Sequence, residues 1–71
     1  MSEEVEKLKL LATNKRLHYW EREQAIDALG KIRTREASLA LLDIAGDTGL
    51  NYWERELALR KAKDIIQSIR S

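Results

Sequence analysis

His18 is the one histidine of the chain, and cysteine is absent. A zinc site takes Cys, His or acidic ligands at set spacings, and no such set flanks His18, which reads instead as a turn or cap residue at a helix start. Carboxylates come in close pairs, Glu21 with Glu23 and Glu54 with Glu56. Paired carboxyl groups can serve as general acid and base. These pairs, however, fall in predicted first turns, where negative charge favours the positive end of the helix dipole. Gly30 suits a close helix crossing, because no glycine-rich run precedes a helix to cradle phosphate. The sequence therefore predicts no enzyme, with no catalytic residue, no metal and no cofactor.

Binding chemistry is better represented. Trp20 and Trp53 lie roughly opposite the apolar stripes of their helices. Two readings stay open: each indole folds back over the preceding loop or a neighbouring helix to seal a short core, or it anchors a partner, as Trp, Tyr and Arg do at binding hot spots. Trp53 makes the stronger anchor, because Leu57 at i+4 would extend it into an apolar patch outside the stripe. Tyr19 and Tyr52 sit at the stripe edge and read as rim residues with their hydroxyls in water. Arg22 and Arg55 fall toward the apolar face, where an unpaired guanidinium is costly. Each predicts a structural ion pair with an adjacent helix, Asp43 and Glu36 being the candidate partners.

The elements that must position these side chains repeat. Leu17-His18-Tyr19-Trp20-Glu21-Arg22-Glu23 returns as Leu50-Asn51-Tyr52-Trp53-Glu54-Arg55-Glu56, six identities in seven positions at an offset of 33. The same offset relates Glu3 to Glu36, Leu8 to Leu41, Ala12 to Ala45, Ala25 to Ala58 and Ile32 to Ile65. The 71 residues read as a single domain of two repeats, about 1–33 and 34–66, with a C-terminal extension of the last helix. Caps and turn residues delimit four helices, about 3–13 behind Ser2, 19–32 behind His18, 35–45 behind Thr34 and 52–69 behind Asn51. No segment alternates with period two, so the fold class is all-α. Apolar stripes at helical spacing predict a core of Val5, Leu8, Leu11 and Ala12; Ala25, Ala28, Leu29 and Ile32, with Ile26 at the edge; Ala37, Leu41, Ile44 and Ala45; and Ala58, Ala62, Ile65, Ile66 and Ile69. Where the third helix has Leu39, Ala40 and Leu42, the first has Glu6, Lys7 and Lys9. Lys61 and Lys63 likewise replace Ala28 and Gly30. Such swaps predict polar end caps and a complete two-unit solenoid.

The run Tyr19-Trp20-Glu21-Arg22-Glu23-Gln24-Ala25-Ile26-Asp27-Ala28-Leu29-Gly30-Lys31-Ile32, followed by Glu36-Ala37 and a Leu-rich helix, resembles HEAT-like repeats, in particular the short kind also seen in phycobilisome-lyase-type proteins. In the second repeat Ala62-Lys63-Asp64-Ile65 departs from the pattern at Leu29-Gly30-Lys31-Ile32. The resemblance implies four antiparallel helices in two tandem helical hairpins, a mini-solenoid that binds other macromolecules, usually proteins.

Composition bounds the partners. Thirteen basic against twelve acidic residues leave a net charge of +1, so no strong field draws the chain to nucleic acid or an anionic membrane. The N-terminal residues are acidic and carry no apolar h-region, which makes the cytoplasm the default location, and no apolar run approaches a membrane span. A protein partner is expected, and a homodimer through a two-fold contact is one form of it. The alternative is nucleic acid, held by Lys31, Arg33, Arg35, Arg60, Lys61 and Lys63, where neighbouring aromatic rings can stack on bases. Acidic residues interleave each basic cluster, as on an ordinary solvated helix face.

Overall fold

A computed structural model describes residues 2–70. Four helices follow in order, α1 (Glu3–Ala12), α2 (Tyr19–Ile32), α3 (Arg35–Ala45) and α4 (Tyr52–Arg70), with no strand among the described residues. Each start has a chemical cause. Ser2 accepts from the Val5 N–H (3.3 Å) and Thr34 from the Ala37 N–H (3.1 Å), satisfying donors that have no partner inside the helix. At α2 and α4 the third helical residue reaches back: Glu21 accepts from the His18 N–H (3.0 Å) and Glu54 from the Asn51 N–H (3.3 Å). Arg33, at φ 62°, ends α2 in the left-handed conformation and turns the chain into α3.

α1 packs on α2 and on α3, α3 packs on α4, and α2 touches both α3 and α4. α2 and α4 run side by side in the same sense, because Arg22 meets Glu54 near their starts, Asp27 meets Lys61 farther along, and Arg33 at the C-cap of α2 meets Asp64. α1 and α3 do likewise, the Ser2 N–H reaching Glu36 (2.8 Å) and Lys9 reaching Asp43 (2.8 Å).

The core holds Val5, Ala12, Ala25, Ile26, Leu29, Ala37, Ala40, Leu41, Ile44, Leu50, Ala58, Ala62 and Ile65. Ile26, expected at the stripe edge, is fully buried. Leu11 and Ile69, expected inside, are about half exposed. Ile26 lies on α2, which packs against α1, α3 and α4, whereas Leu11 lies on α1, which packs against α2 and α3 alone, and Ile69 lies in the last turn of α4. Of the polar residues read as end caps, Glu6, Lys7 and Lys63 are exposed. Lys9 and Lys61 sit between helices, paired with Asp43 and Asp27, while Leu39 and Leu42 face solvent.

Candidate aromatic and ion-pair site at the starts of α2 and α4

In a helix each side chain leans back toward the N-terminus, so rings in a first turn project past the helix start. Tyr19 and Trp20 stand in the first turn of α2, Tyr52 and Trp53 in that of α4, and the side-by-side packing of the two helices brings the four rings together. The contacts run unbroken. His18 stacks on Trp20 (4.2 Å between centroids, planes 5° apart), Trp20 meets Tyr19 edge-on (5.4 Å), Tyr19 meets Trp53 (6.1 Å), and Trp53 meets Tyr52 (5.8 Å). All five residues are exposed, Trp20 at 48% and Trp53 at 43%. Each indole is half-exposed, Trp20 lying on His18 of the preceding loop and Trp53 against Tyr19 of the neighbouring helix, and no indole N–H or phenol O–H of the row has a hydrogen-bond partner among the described residues. Tyr52, at 69%, is more open than Tyr19 or either indole. Leu57, expected beside Trp53 as an outer patch, is partly buried and packs against the core instead.

Beneath the row lies an ion pair. Arg22 donates through Nε and Nη2 to the two carboxylate oxygens of Glu54 (2.7 and 2.9 Å), a bidentate fork, and through Nη1 to the Leu17 carbonyl (2.6 Å). Glu54 has no exposure and Arg22 8%. Burial pushes the Glu54 carboxyl up, but hydrogen bonding and the charge of Arg22, together with Asn51, outweigh it and hold the group below its ordinary value. The same hydrogen bond raises Arg22. Glu54 also accepts from the Asn51 side-chain amide (2.9 Å), so one carboxylate closes both the cap and the inter-helix pair.

The partners expected for the two arginines are engaged elsewhere: Asp43 binds Lys9 and Glu36 accepts from the Ser2 N–H. Arg55 makes no ion pair among the described residues; its Nε donates to the Ala45 carbonyl (2.9 Å). Reasoning from helix faces missed Glu54, although a signal existed. Side-chain contacts between the halves join residues 31 to 34 apart, the repeat period within two residues, and 32 residues beyond Arg22 stands Glu54.

The basic clusters are partly neutralised. Lys61 (2.9 Å) and Lys31 (3.7 Å) share Asp27, and Arg33 binds Asp64 (2.7 Å). Arg35, Arg60 and Lys63 are exposed. No three His, Asp or Glu side chains converge as metal ligands, and no helix is long and apolar enough to cross a membrane, among the described residues. Compared with family models, curated proteins and solved structures, the chain matches none.

Proposed function

We propose that this chain is a non-enzymatic, HEAT-like protein-interaction module of the cytoplasm, two helical hairpins side by side, whose binding surface is the aromatic row. The row carries the reading. Rings exposed in an unbroken line offer flat apolar faces, and the two indoles and two phenols add hydrogen-bond donors that no described residue of the protein uses. An extended peptide bearing proline suits such a surface: its backbone is not internally bonded, its carbonyls accept, and its rings lie flat on aromatic faces. The hairpin reading is supported by the packing of α1 on α2 and of α3 on α4, and by contacts between the halves at the repeat period.

The test is capture of binding proteins from a cell lysate by the wild-type chain and by a folded Trp20→Ala/Trp53→Ala variant. Captured partners are then reduced to dye-labelled peptides and titrated by fluorescence anisotropy with the wild type, the two single variants and the double variant. Each alanine should weaken binding by about tenfold or more. Equal capture by the double variant refutes the reading.

A further inference from the structure

Residues 33 apart are equivalent in this chain, so every contact between its halves has an image displaced outward to the two ends. Arg22 of the first half bonds Glu54 of the second. The second-half image of Arg22 is Arg55, and the first-half image of Glu54 is Glu21. Both images are available. The terminal nitrogens of Arg55 have no hydrogen-bond partner among the described residues, and exposed Glu21 uses one oxygen for the His18 cap. The apolar surface follows the same rule. Fully buried Ile26 has Leu59 as its image, 41% exposed, and fully buried Ile44 has Leu11, 46% exposed.

Two shallow grooves mark the ends. One, lined by Ala45, Tyr52, Arg55, Glu56 and Leu59, is built from the images of residues 12, 19, 22, 23 and 26. The other, lined by Leu8, Leu11, Leu17, Glu21, Gln24 and Ala25, is built from the images of residues 41, 44, 50, 54, 57 and 58. Inside the molecule those two sets hold the halves together through Arg22–Glu54 and a ring contact from Tyr19.

We propose that a second copy of this chain stacks head-to-tail on the first, the α3/α4 end of one seated on the α1/α2 end of the next, with Arg55 bonded to Glu21 of the next copy. The inference rests on the two-hairpin reading above. Charge complementarity selects this occupant. The internal pair Ser2–Glu36 becomes Arg35 opposite Glu3 of the next copy, a new attraction. The internal Lys9–Asp43 bridge becomes Leu42 opposite Leu10, both exposed, the latter at 67%. Lys15–Asp47 becomes Thr48 opposite Asn14, a polar pair. Arg33–Asp64 and Lys61–Asp27 become Ile66 opposite Lys31 and Arg60 opposite Ala28. No like charges face each other in any of these images. Tyr52 meets Trp20 of the next copy as Tyr19 meets Trp53 within one, so the ring row continues along the stack. The contact joins two different surfaces, so it propagates into chains or rings instead of stopping at two copies.

Charge reversal tests this by sedimentation velocity over a concentration series, with circular dichroism confirming the fold. The wild-type mass should rise above 8.2 kDa with concentration and continue past the dimer. Arg55→Glu alone and Glu21→Arg alone should each weaken association by about 100-fold or more, because like charges then meet. An equal mixture of the two variants should restore it, since each end of one then complements an end of the other. That rescue also separates a broken interface from a damaged cap in Glu21→Arg. A wild type that stays monomeric at the highest soluble concentration overturns the proposal, and so does association that stops at two copies or ignores both reversals. Trp20 and Trp53 are unchanged in these variants, so partner capture measured on them tells failure of stacking from failure of the aromatic-row reading.

Discussion

Arg22 and Arg55 occupy equivalent places in the repeat, yet the structure gives them very different work, and replacing each by Met measures the difference. Arg22→Met removes the fork to Glu54 and leaves a carboxylate with no exposure, held only by Asn51. Removing one member of a buried pair costs about 3–5 kcal/mol, most of it the penalty on the charge left behind. At roughly 0.05–0.15 kcal/mol per residue a chain of 71 residues is stable by about 4–11 kcal/mol, so the loss takes a large share of the whole. In a domain of this size it lowers Tm by about 12 °C or more. Arg55→Met removes one hydrogen bond to the Ala45 carbonyl from a half-buried side chain and should cost about 1 kcal/mol. Thermal and urea unfolding followed by circular dichroism, in dilute solution where copies do not associate, measures both.

The pH dependence sharpens the test. In the wild type the folded-state carboxyl of Glu54 lies below its ordinary value of 4.5. Its contribution is therefore present above pH 4.5 and is lost as pH falls through the folded value. In Arg22→Met only burial remains as the dominant influence, and it raises the folded carboxyl above the unfolded one. The variant's deficit is then full at high pH and shrinks as pH falls through that raised value. Equal losses for the two methionine variants, or a deficit unchanged between pH 8 and 4, would refute the assignment of Arg22–Glu54 as the buried link.

Other perturbations test other parts of the fold. A Cβ at Gly30 would lie 2.6 Å from the Lys61 Cδ. Gly30→Ala should therefore be worth about 1 kcal/mol less than helix propensity alone promises, and should regain that amount in a Lys61→Ala background; a double-mutant cycle in urea measures the coupling. Arg33 holds a left-handed conformation at φ 62° for an exposed bridge to Asp64, so Arg33→Gly should leave Tm unchanged or raise it by a few degrees, through about 0.5–1 kcal/mol of relieved backbone strain. Asp27 and Asp47 are held below 3.8 by hydrogen bonds from Lys61 and Lys15 respectively. Wild-type stability should thus fall with acid below about pH 4, and less steeply in Lys15→Ala, as pH-dependent urea midpoints would show.

How much of this was legible in the sequence depends on the direction in which each residue was read. Helix spans follow from caps and apolar spacing, which act within a few residues, and α2 and α3 cover the ranges those cues predict. Burial is a property of neighbours: Ile26 is enclosed on α2, which packs against three helices, and Leu11 is open on α1, which packs against two. Periodicity within one helix holds no record of that. The ion pairs fall between the two cases. A face-by-face search of Arg22 points to Asp43 and Glu36, whereas the contacts made by the halves recur near the repeat period, 32 residues for Arg22–Glu54 and 34 for Lys9–Asp43. The period records which residues meet as well as which residues match. The same reasoning governs the aromatic row. A ring in one first turn is a lone exposed aromatic, but the repeat sets a second first turn beside it, and Tyr19 bridges to Trp53. The surface that we propose binds a partner thus takes its rings from both α2 and α4 and is present in neither half alone.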